Sequence, residues 1–233
     1  MNGRPLFQLS PRLAACARLV PQGAKLADIG TDHAYLPVWL ARRGTITHAL
    51  ACDLREGPLH RAQENIHKYR VQELVETRLS DGLSAVSAQE ADTVVIAGMG
   101  GDLMVQILSK APWLKDGKTL ILQCMTSAEG LRRWLLAEGY RVEKENAVRS
   151  EGRVYSVMLV RWQAGEWQAG PLFPFIGLLG YEDGAEAREY ILREIRHLES
   201  CLKGRRDRGE ESMAKELEEI VRQLTSLTKE EAT

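Results

Sequence analysis

The sequence predicts an α/β fold: a mostly parallel sheet with helices on both faces, followed by a C-terminal antiparallel helical hairpin. Three observations carry that expectation. Apolar runs of strand length alternate with amphipathic stretches as far as about Trp162. Two strand-like runs then follow one another with no room for a helix between them. Beyond these, apolar residues return at steps of three and four.

The strand candidates are KLADIG, HALACD, VETRLSD, DTVVIAG and KTLILQC. Between them stand the helix candidates LPVWLARR, GPLHRAQENIHKYR, GDLMVQILSKA and SAEGLRRWLLAEG. Alternation of this kind implies right-handed crossovers and a parallel sheet covered on both sides. The uninterrupted run Thr93-Val94-Val95-Ile96-Ala97 fits a strand buried on both faces. YRVEKENAVRSEGRVYSVMLVRW reads as a hairpin punctuated by SEG, which places one antiparallel strand at the end of the strand order. A dinucleotide-binding sheet more often continues with another βα unit. The hairpin ending instead suggests the Rossmann-like seven-stranded sheet of S-adenosylmethionine-dependent methyltransferases, by fold analogy.

After Trp162 the stretch QAGEWQAGPLFPFIGLLGYEDG, rich in Gly and Pro, reads as a linker. Ile191, Ile195, Leu198 and Leu202 then form one narrow stripe, and Met213, Leu217, Ile220, Leu224 and Leu227 a second. Two such helices, joined by the polar turn around KGRRDRGEE, describe an antiparallel, coiled-coil-like hairpin. The expected division is a methyltransferase domain over residues 1–162, then a linker and hairpin over 163–233.

Composition adds bounds. The chain of 233 residues is 44% hydrophobic and 27% charged, ordinary for a soluble globular protein. No apolar run approaches a membrane span, and no basic-then-apolar leader precedes Leu13, so no membrane partner is expected. Cys16, Cys52, Cys124 and Cys201 lie far apart without a CxxC pair. Disulfides, zinc or other metals are therefore not expected, and a cytoplasmic location is. The net charge of −1 conceals an asymmetry: residues 1–70 hold ten Lys/Arg against five Asp/Glu, and residues from Arg161 onward hold eleven against fifteen. A basic N-terminal face can meet a polyanion, although solvated faces of mixed sign explain the charges as well. The oligomeric state is open, with a monomer favoured.

In an open α/β sheet the ligand sits beyond the carboxyl ends of the strands. Four of those ends carry suggestive residues. In Asp28-Ile29-Gly30-Thr31-Asp32-His33 only one glycine remains of a dinucleotide fingerprint. A sulfonium cofactor has no pyrophosphate to cradle and tolerates acidic neighbours. Asp53 follows about twenty residues later, the spacing of a carboxylate that accepts ribose hydroxyls, in NAD and S-adenosylmethionine sites alike. Asp81 and Gly82 fit an adenine contact or an ordinary capped turn equally well. The fourth end, IAGMGGDL, brings Ala97, Gly98, Met99, Gly100 and Gly101 past the pocket, a weak signal by itself. His33 has no metal-spaced partners and reads as orienting the turn.

LSPRL at Leu9 to Leu13, ADIGTDHAYLP, EGP at Glu56 to Pro58, DGL, IAGMGG and LILQ, in this order, resemble the bacterial tRNA adenine-22 N1-methyltransferases. The resemblance covers about Leu9 to Val160 and extends in architecture to the C-terminal hairpin. It implies methyl transfer from S-adenosylmethionine to adenine N1 in a tRNA D-loop. It also implies cofactor binding by Asp28, Gly30, Thr31, Asp32, His33, Asp53, Asp81 and Gly82, with Ala97 and Gly98 alongside, and a functional role for Asp32. The expected substrate contacts are Arg12, Arg42, Arg43, Met99, Gly100, Gly101 and Gln123, with Arg4, Arg18 and the tail arginines on phosphates. Adenine N1 lies on the pairing edge, so the base must be unpaired or flipped. Asp53 stands where the family commonly has Glu. Cys124-Met125 stands where it usually reads Pro-Asn, which removes an amide donor from the segment expected to face the acceptor. Two other readings remain: the same chemistry on another RNA or a small molecule, or a non-catalytic RNA-binding scaffold.

Overall fold

The computed structural model describes residues 5–165 and 167–229, so Arg4 lies outside the described residues. Helix α1 (Pro11–Leu19) leads into β1 (Ala24–Ile29), α2 (Tyr35–Arg42), β2 (Ile46–Asp53), α3 (Glu56–Tyr69) and β3 (Val75–Leu79). The second half runs β4 (Thr93–Met99), α4 (Gly101–Ser109), β5 (Thr119–Cys124), α5 (Ala128–Ala137), β6 (Tyr140–Ser150) and β7 (Arg153–Trp162). A short α6 (Phe173–Ile176) follows, then the long α7 (Ala185–Asp207) and α8 (Glu211–Leu227).

The seven strands form one sheet in the order β3-β2-β1-β4-β5-β7-β6. Strands β1 to β5 are mutually parallel, and β7 runs antiparallel to both β5 and β6. The antiparallel strand is thus not last, as its place in the hairpin suggested; it lies inside, and β6 takes the edge. Residue chemistry explains the order. Residues 154–160 of β7 are all buried, a run that needs cover on both faces. β6 carries Arg141, Glu143 and Lys144 exposed and suits an edge.

The strand order reverses between β1 and β4, which opens a crevice above their carboxyl ends. One face of the sheet packs on a core of Leu50, Val94, Ile96, Met104 and Leu131, the other on Leu26, Leu36, Leu40, Val95 and Ile121. Helix α1, which the strand–helix alternation did not anticipate, belongs to the second face and begins with Pro11 in its first turn, where the missing N–H costs nothing.

Helices α7 and α8 pack as a hairpin through Ile191, Ile195, Leu198 and Leu224, with Leu217, Ile220 and Leu227 partly buried. Met213 departs from the expected stripe and is exposed. The basic turn is also shorter than expected. Lys203, Arg205 and Arg206 lie within α7 and only Arg208 is in the turn, paired with Glu210, while Arg206 pairs with Glu218.

A buried polar node fastens this hairpin to the sheet. The Arg132 side chain of α5 is fully buried and pairs with the equally buried Glu145 of β6 at 2.6 Å. Arg132 also donates to the carbonyls of Pro174 and Phe175, and to the Tyr190 hydroxyl of α7 at 3.0 Å. Gly177 lies against this node, where a Cβ would overlap the Glu145 carboxylate. Removing one member of a buried ion pair strands the other charge and costs about 3–5 kcal/mol. Glu145→Ala is accordingly expected to lower unfolding stability by about that amount in urea titrations; a loss under about 1 kcal/mol would mean that Arg132 is satisfied without its partner.

Candidate active site

The site grows from the turn after β1. Gly30 takes φ +74°, Asp32 +52° and Ala34 +53°. Left-handed backbone at a non-glycine residue costs roughly 1–2 kcal/mol, so two such residues in three mark a turn held by its surroundings. The holding contacts are clear. The amides of Gly30 and Thr31 both donate to the Cys52 carbonyl of β2 at 2.9 Å, and the Ala34 amide donates to the Thr31 carbonyl. A Cβ on Gly30 would lie 2.2 Å from the Met99 methyl, so the end of the Met99 side chain fills the space beneath the turn.

This turn forms one wall of a cavity of about 540 Å³ lined by Asp28, Gly30, Thr31, Asp32, Ala97 and Gly98. The opposite wall is the N-terminal segment Phe7 to Leu13, with Tyr35 and Leu36 of α2 at the rim. Asp28 is buried at the cavity floor and accepts a hydrogen bond from the Thr31 hydroxyl at 2.6 Å. Burial pushes its carboxyl up to about 6, the Thr31 bond opposes that shift, and the nearby Asp53 carboxylate adds to it. Asp53 is buried at the end of β2 and accepts from the Arg55 amide at 3.0 Å. Asp32 is exposed at the mouth, 3.5 Å from both Arg61 of α3 and the His33 ring.

Arg12 closes the other side. Its Nη1 donates to the Gln123 side-chain oxygen at 3.4 Å, and that oxygen also accepts from the Gly98 amide at 3.0 Å. Gln123 is fully buried, so it acts from beneath and ties β4, β5 and α1 together. A Cβ on Gly98, at φ +80°, would sit 3.0 Å from the Arg12 guanidinium. Two buried polar atoms of this wall, Arg12 Nε and Ser10 Oγ, have no hydrogen-bond partner among the described residues, as is also true of Arg132 Nε and Ser150 Oγ away from the cavity. At the cavity wall such atoms are open to a ligand.

Seven of the sequence-expected residues therefore meet at one cavity: Arg12, Asp28, Gly30, Thr31, Asp32, Ala97 and Gly98. The others act from its margins or elsewhere. His33 stacks its ring on Tyr35, and its carbonyl accepts from Asn65. Asp81 is exposed beside Lys110 at 3.8 Å, in a separate recess of about 100 Å³, and Gly82 packs on Ile107. Met99 fills space under Gly30, Gly100 precedes α4, and Gly101 packs on the Ser127 carbonyl. Arg42 and Arg43 lie away from the cavity. They end α2 about 12 Å along the helix from the cavity rim, Arg42 donates to the Tyr69 carbonyl, and Arg43 lies over the Trp39 ring. Arg18 likewise sits at the far end of α1. The segment after Gln123 does not line the cavity: the Cys124 thiol donates to the Thr126 carbonyl, and the Met125 amide to the Met99 carbonyl. Ser10, Phe7 and Tyr35 were not singled out from sequence as site residues. The Ser-Pro helix start was the available signal for Ser10.

A seven-stranded sheet in this order, with carboxylates at the ends of β1 and β2 beside a crevice at the strand-order switch, defines a methyltransferase fold of the S-adenosylmethionine-dependent class. A family model described as a methyltransferase domain matches residues 9–158. The tRNA (adenine(22)-N(1))-methyltransferase of Bacillus subtilis (strain 168) is 36% identical over 164 residues, which span 70% of this chain and 68% of that protein. The solved structure of the B. subtilis M1A22 tRNA methyltransferase TrmK superposes with TM-score 0.81 at 29% identity, covering 97% of this chain and 99% of that one. A Streptococcus pneumoniae protein solved in complex with S-adenosyl-L-methionine gives TM-score 0.80 at 31% identity, with 92% and 100% coverage. The chain belongs to the tRNA (adenine(22)-N(1))-methyltransferase family.

The Asp28 carboxyl yields a pH test. Its folded value of about 6 exceeds the ordinary 3.8, so the folded chain holds this proton more tightly than the unfolded chain does. The contribution to stability is full below pH 3.8 and is lost as pH rises toward 6. Asp28→Asn removes that dependence. The stability advantage of the variant over the parent is expected to widen by about 2 kcal/mol between about pH 4 and pH 7 in urea titrations. A constant difference would place Asp28 in contact with water.

Proposed function

We propose that this chain transfers the methyl group of S-adenosylmethionine to N1 of adenine 22 in tRNA. The observation that carries the reading is Asp28, a buried carboxylate under the cavity with only one hydroxyl bonded to it. A buried carboxylate in that state favours a cationic ligand. The cavity wall of Asp28 and Asp32, with Asp53 behind it, suits a molecule that carries an amine and a sulfonium. When bound, S-adenosylmethionine supplies an electrophilic methyl group.

This chain's residues then have separable tasks. Asp28, Gly30 and Thr31 hold the amino-acid part, Asp53 accepts the ribose hydroxyls, and Ala97 and Gly98 give a wall without bulk. Asp81 and Gly82 would reach the cofactor's adenine only from the margin, and His33 supports the turn. Adenine N1 already carries a lone pair, so no base is needed to create the nucleophile. Positioning the ring contributes most, an effect worth roughly 7–11 kcal/mol in favourable cases. Arg12 Nε and Ser10 Oγ, the two unpartnered atoms of the cavity wall among the described residues, are placed to hold the acceptor nucleotide. Asp32 stabilises the positive charge that grows on the ring, and its pairing with Arg61 and His33 fixes where that carboxylate sits. Gln123 positions Arg12, and Met99, Gly100 and Gly101 shape the turn beneath.

The same reading treats residues 1–162 as the catalytic domain and the linker and hairpin of 163–233 as an appended unit, in a cytoplasmic protein. Arg42 and Arg43, at the far end of α2, would meet tRNA phosphates outside the cavity.

Unmodified tRNA incubated with the protein and labelled S-adenosylmethionine, then digested and analysed by nucleoside mass spectrometry, is expected to yield 1-methyladenosine at position 22. Methylation elsewhere would assign the chemistry to another acceptor. Asp32→Ala is expected to reduce kcat by about 100-fold while changing the Kd for S-adenosylmethionine by less than about threefold. Equal turnover at saturating substrate would remove Asp32 from the mechanism.

A further inference from the structure

The cavity rim carries aromatic residues to which the proposed function gives no task. The Tyr35 residue, first in α2, is 40% exposed although it is a large aromatic beside an apolar core. The His33 ring lies nearly parallel to it, with centroids 5.2 Å apart and planes inclined by 17°. Phe7 approaches Tyr35 edge-on at 5.1 Å, and on its other side meets Tyr69 of α3 at 5.1 Å. Four rings thus climb from α3 to the cavity mouth. Phe7 and Tyr35 line the cavity, whereas His33 does not, so the series ends outside it.

The strained turn that carries the series is held by its backbone bonds to Cys52 and Thr31. Asp32 and Ala34 both have positive φ, and Ala34 is fully buried with no polar side chain to compensate. Between them the chain reverses sharply enough to lay His33 back over Tyr35. Basic groups flank the rings: Arg61 stands beside Asp32, and the Lys68 ammonium lies 5.5 Å from the Tyr69 ring. Stacked rings edged with cations make a surface that accepts unpaired nucleobases of any sequence.

We propose that Tyr35 and His33, backed by Phe7, form a stacking platform for the unpaired base next to the methylated adenine. The inference rests on the reading of the chain as a tRNA methyltransferase. A flipped adenine leaves its neighbour without a stacking partner, and the platform replaces that partner at the mouth of the cavity. Tyr35 and His33 are in this account positioning residues for the acceptor strand.

The test uses the full-length protein and unmodified tRNA. Stacking on one aromatic residue is worth enough that Tyr35→Ala should raise the KM for tRNA by about tenfold or more. The Kd for S-adenosylmethionine should stay within about threefold of the parent. Tyr35→Phe should recover most of the loss, because the ring and not the hydroxyl stacks. A tRNA with 2-aminopurine beside the target should be quenched on binding to the parent and to Tyr35→Phe, and less so on binding to Tyr35→Ala. An unchanged KM in Tyr35→Ala, or undiminished quenching, would overturn the platform. A Tyr35→Phe defect equal to that of Tyr35→Ala, or a parallel loss of cofactor affinity, would do the same. Failure of the parent itself to methylate tRNA would instead strike at the underlying function.

Discussion

The arrangement depends on one constraint: a carboxylate, Asp28, held out of water at the point where the strand order reverses. An isolated buried charge is expensive, and burial makes this carboxyl hold its proton up to about pH 6. The sheet creates the position. Strands β1 and β4 diverge above their carboxyl ends, Asp28 lies next to the end of β1, and Thr31 supplies its one hydrogen bond. The fold thereby stores electrostatic free energy in the apo site, which ligand binding can release.

The turn above that carboxylate is shaped by close approach. Gly30 at φ +74° and Gly98 at φ +80° take backbone that side chains rarely adopt, and the ends of the Met99 and Arg12 side chains fill the space beside them. Gln123 connects the two halves of the crevice by accepting from both the Gly98 amide and Arg12. The result is a cavity with an acidic wall on the β1 side and a cationic, incompletely bonded wall on the α1 side. That polarity suits the proposed reading, with the cofactor on the acidic side and the acceptor on the cationic side. Away from the site, the Arg132–Glu145–Tyr190 node joins α5, β6 and α7, so the hairpin is seated by buried charge as well as by apolar contact.

Much of the fold was legible because period and composition determine it. The alternation of apolar runs with amphipathic segments produced the parallel strands, and the absence of a helix before RVYSVMLVRW produced the final hairpin. The place of β7 inside the sheet was not legible from order alone, although its unbroken apolar run held the clue. At the site, residues adjacent to strand ends were readable because strand ends converge: Asp28, Gly30, Thr31, Asp32, Ala97 and Gly98 all line the cavity. Residues that reach it from remote segments were harder. Arg12 came from the family-like LSPRL stretch, but Ser10, Phe7 and Tyr35 become site residues only when α1 folds over the crevice. Arg42 and Arg43, expected on tRNA phosphates, lie at the far end of a helix that starts at the cavity, so they are no part of its lining.

The central claim is that Asp28 is protonated in part when the cavity lacks a cation and ionised when one is bound. Titration calorimetry of S-adenosylmethionine binding near pH 6, repeated in buffers of different ionisation enthalpy, counts the protons exchanged. With a free-state value of about 6, release of about half a proton per site is expected, falling toward zero by about pH 8 and absent in Asp28→Asn. Binding with no proton release near pH 6, or the same release from Asp28→Asn, would contradict the account.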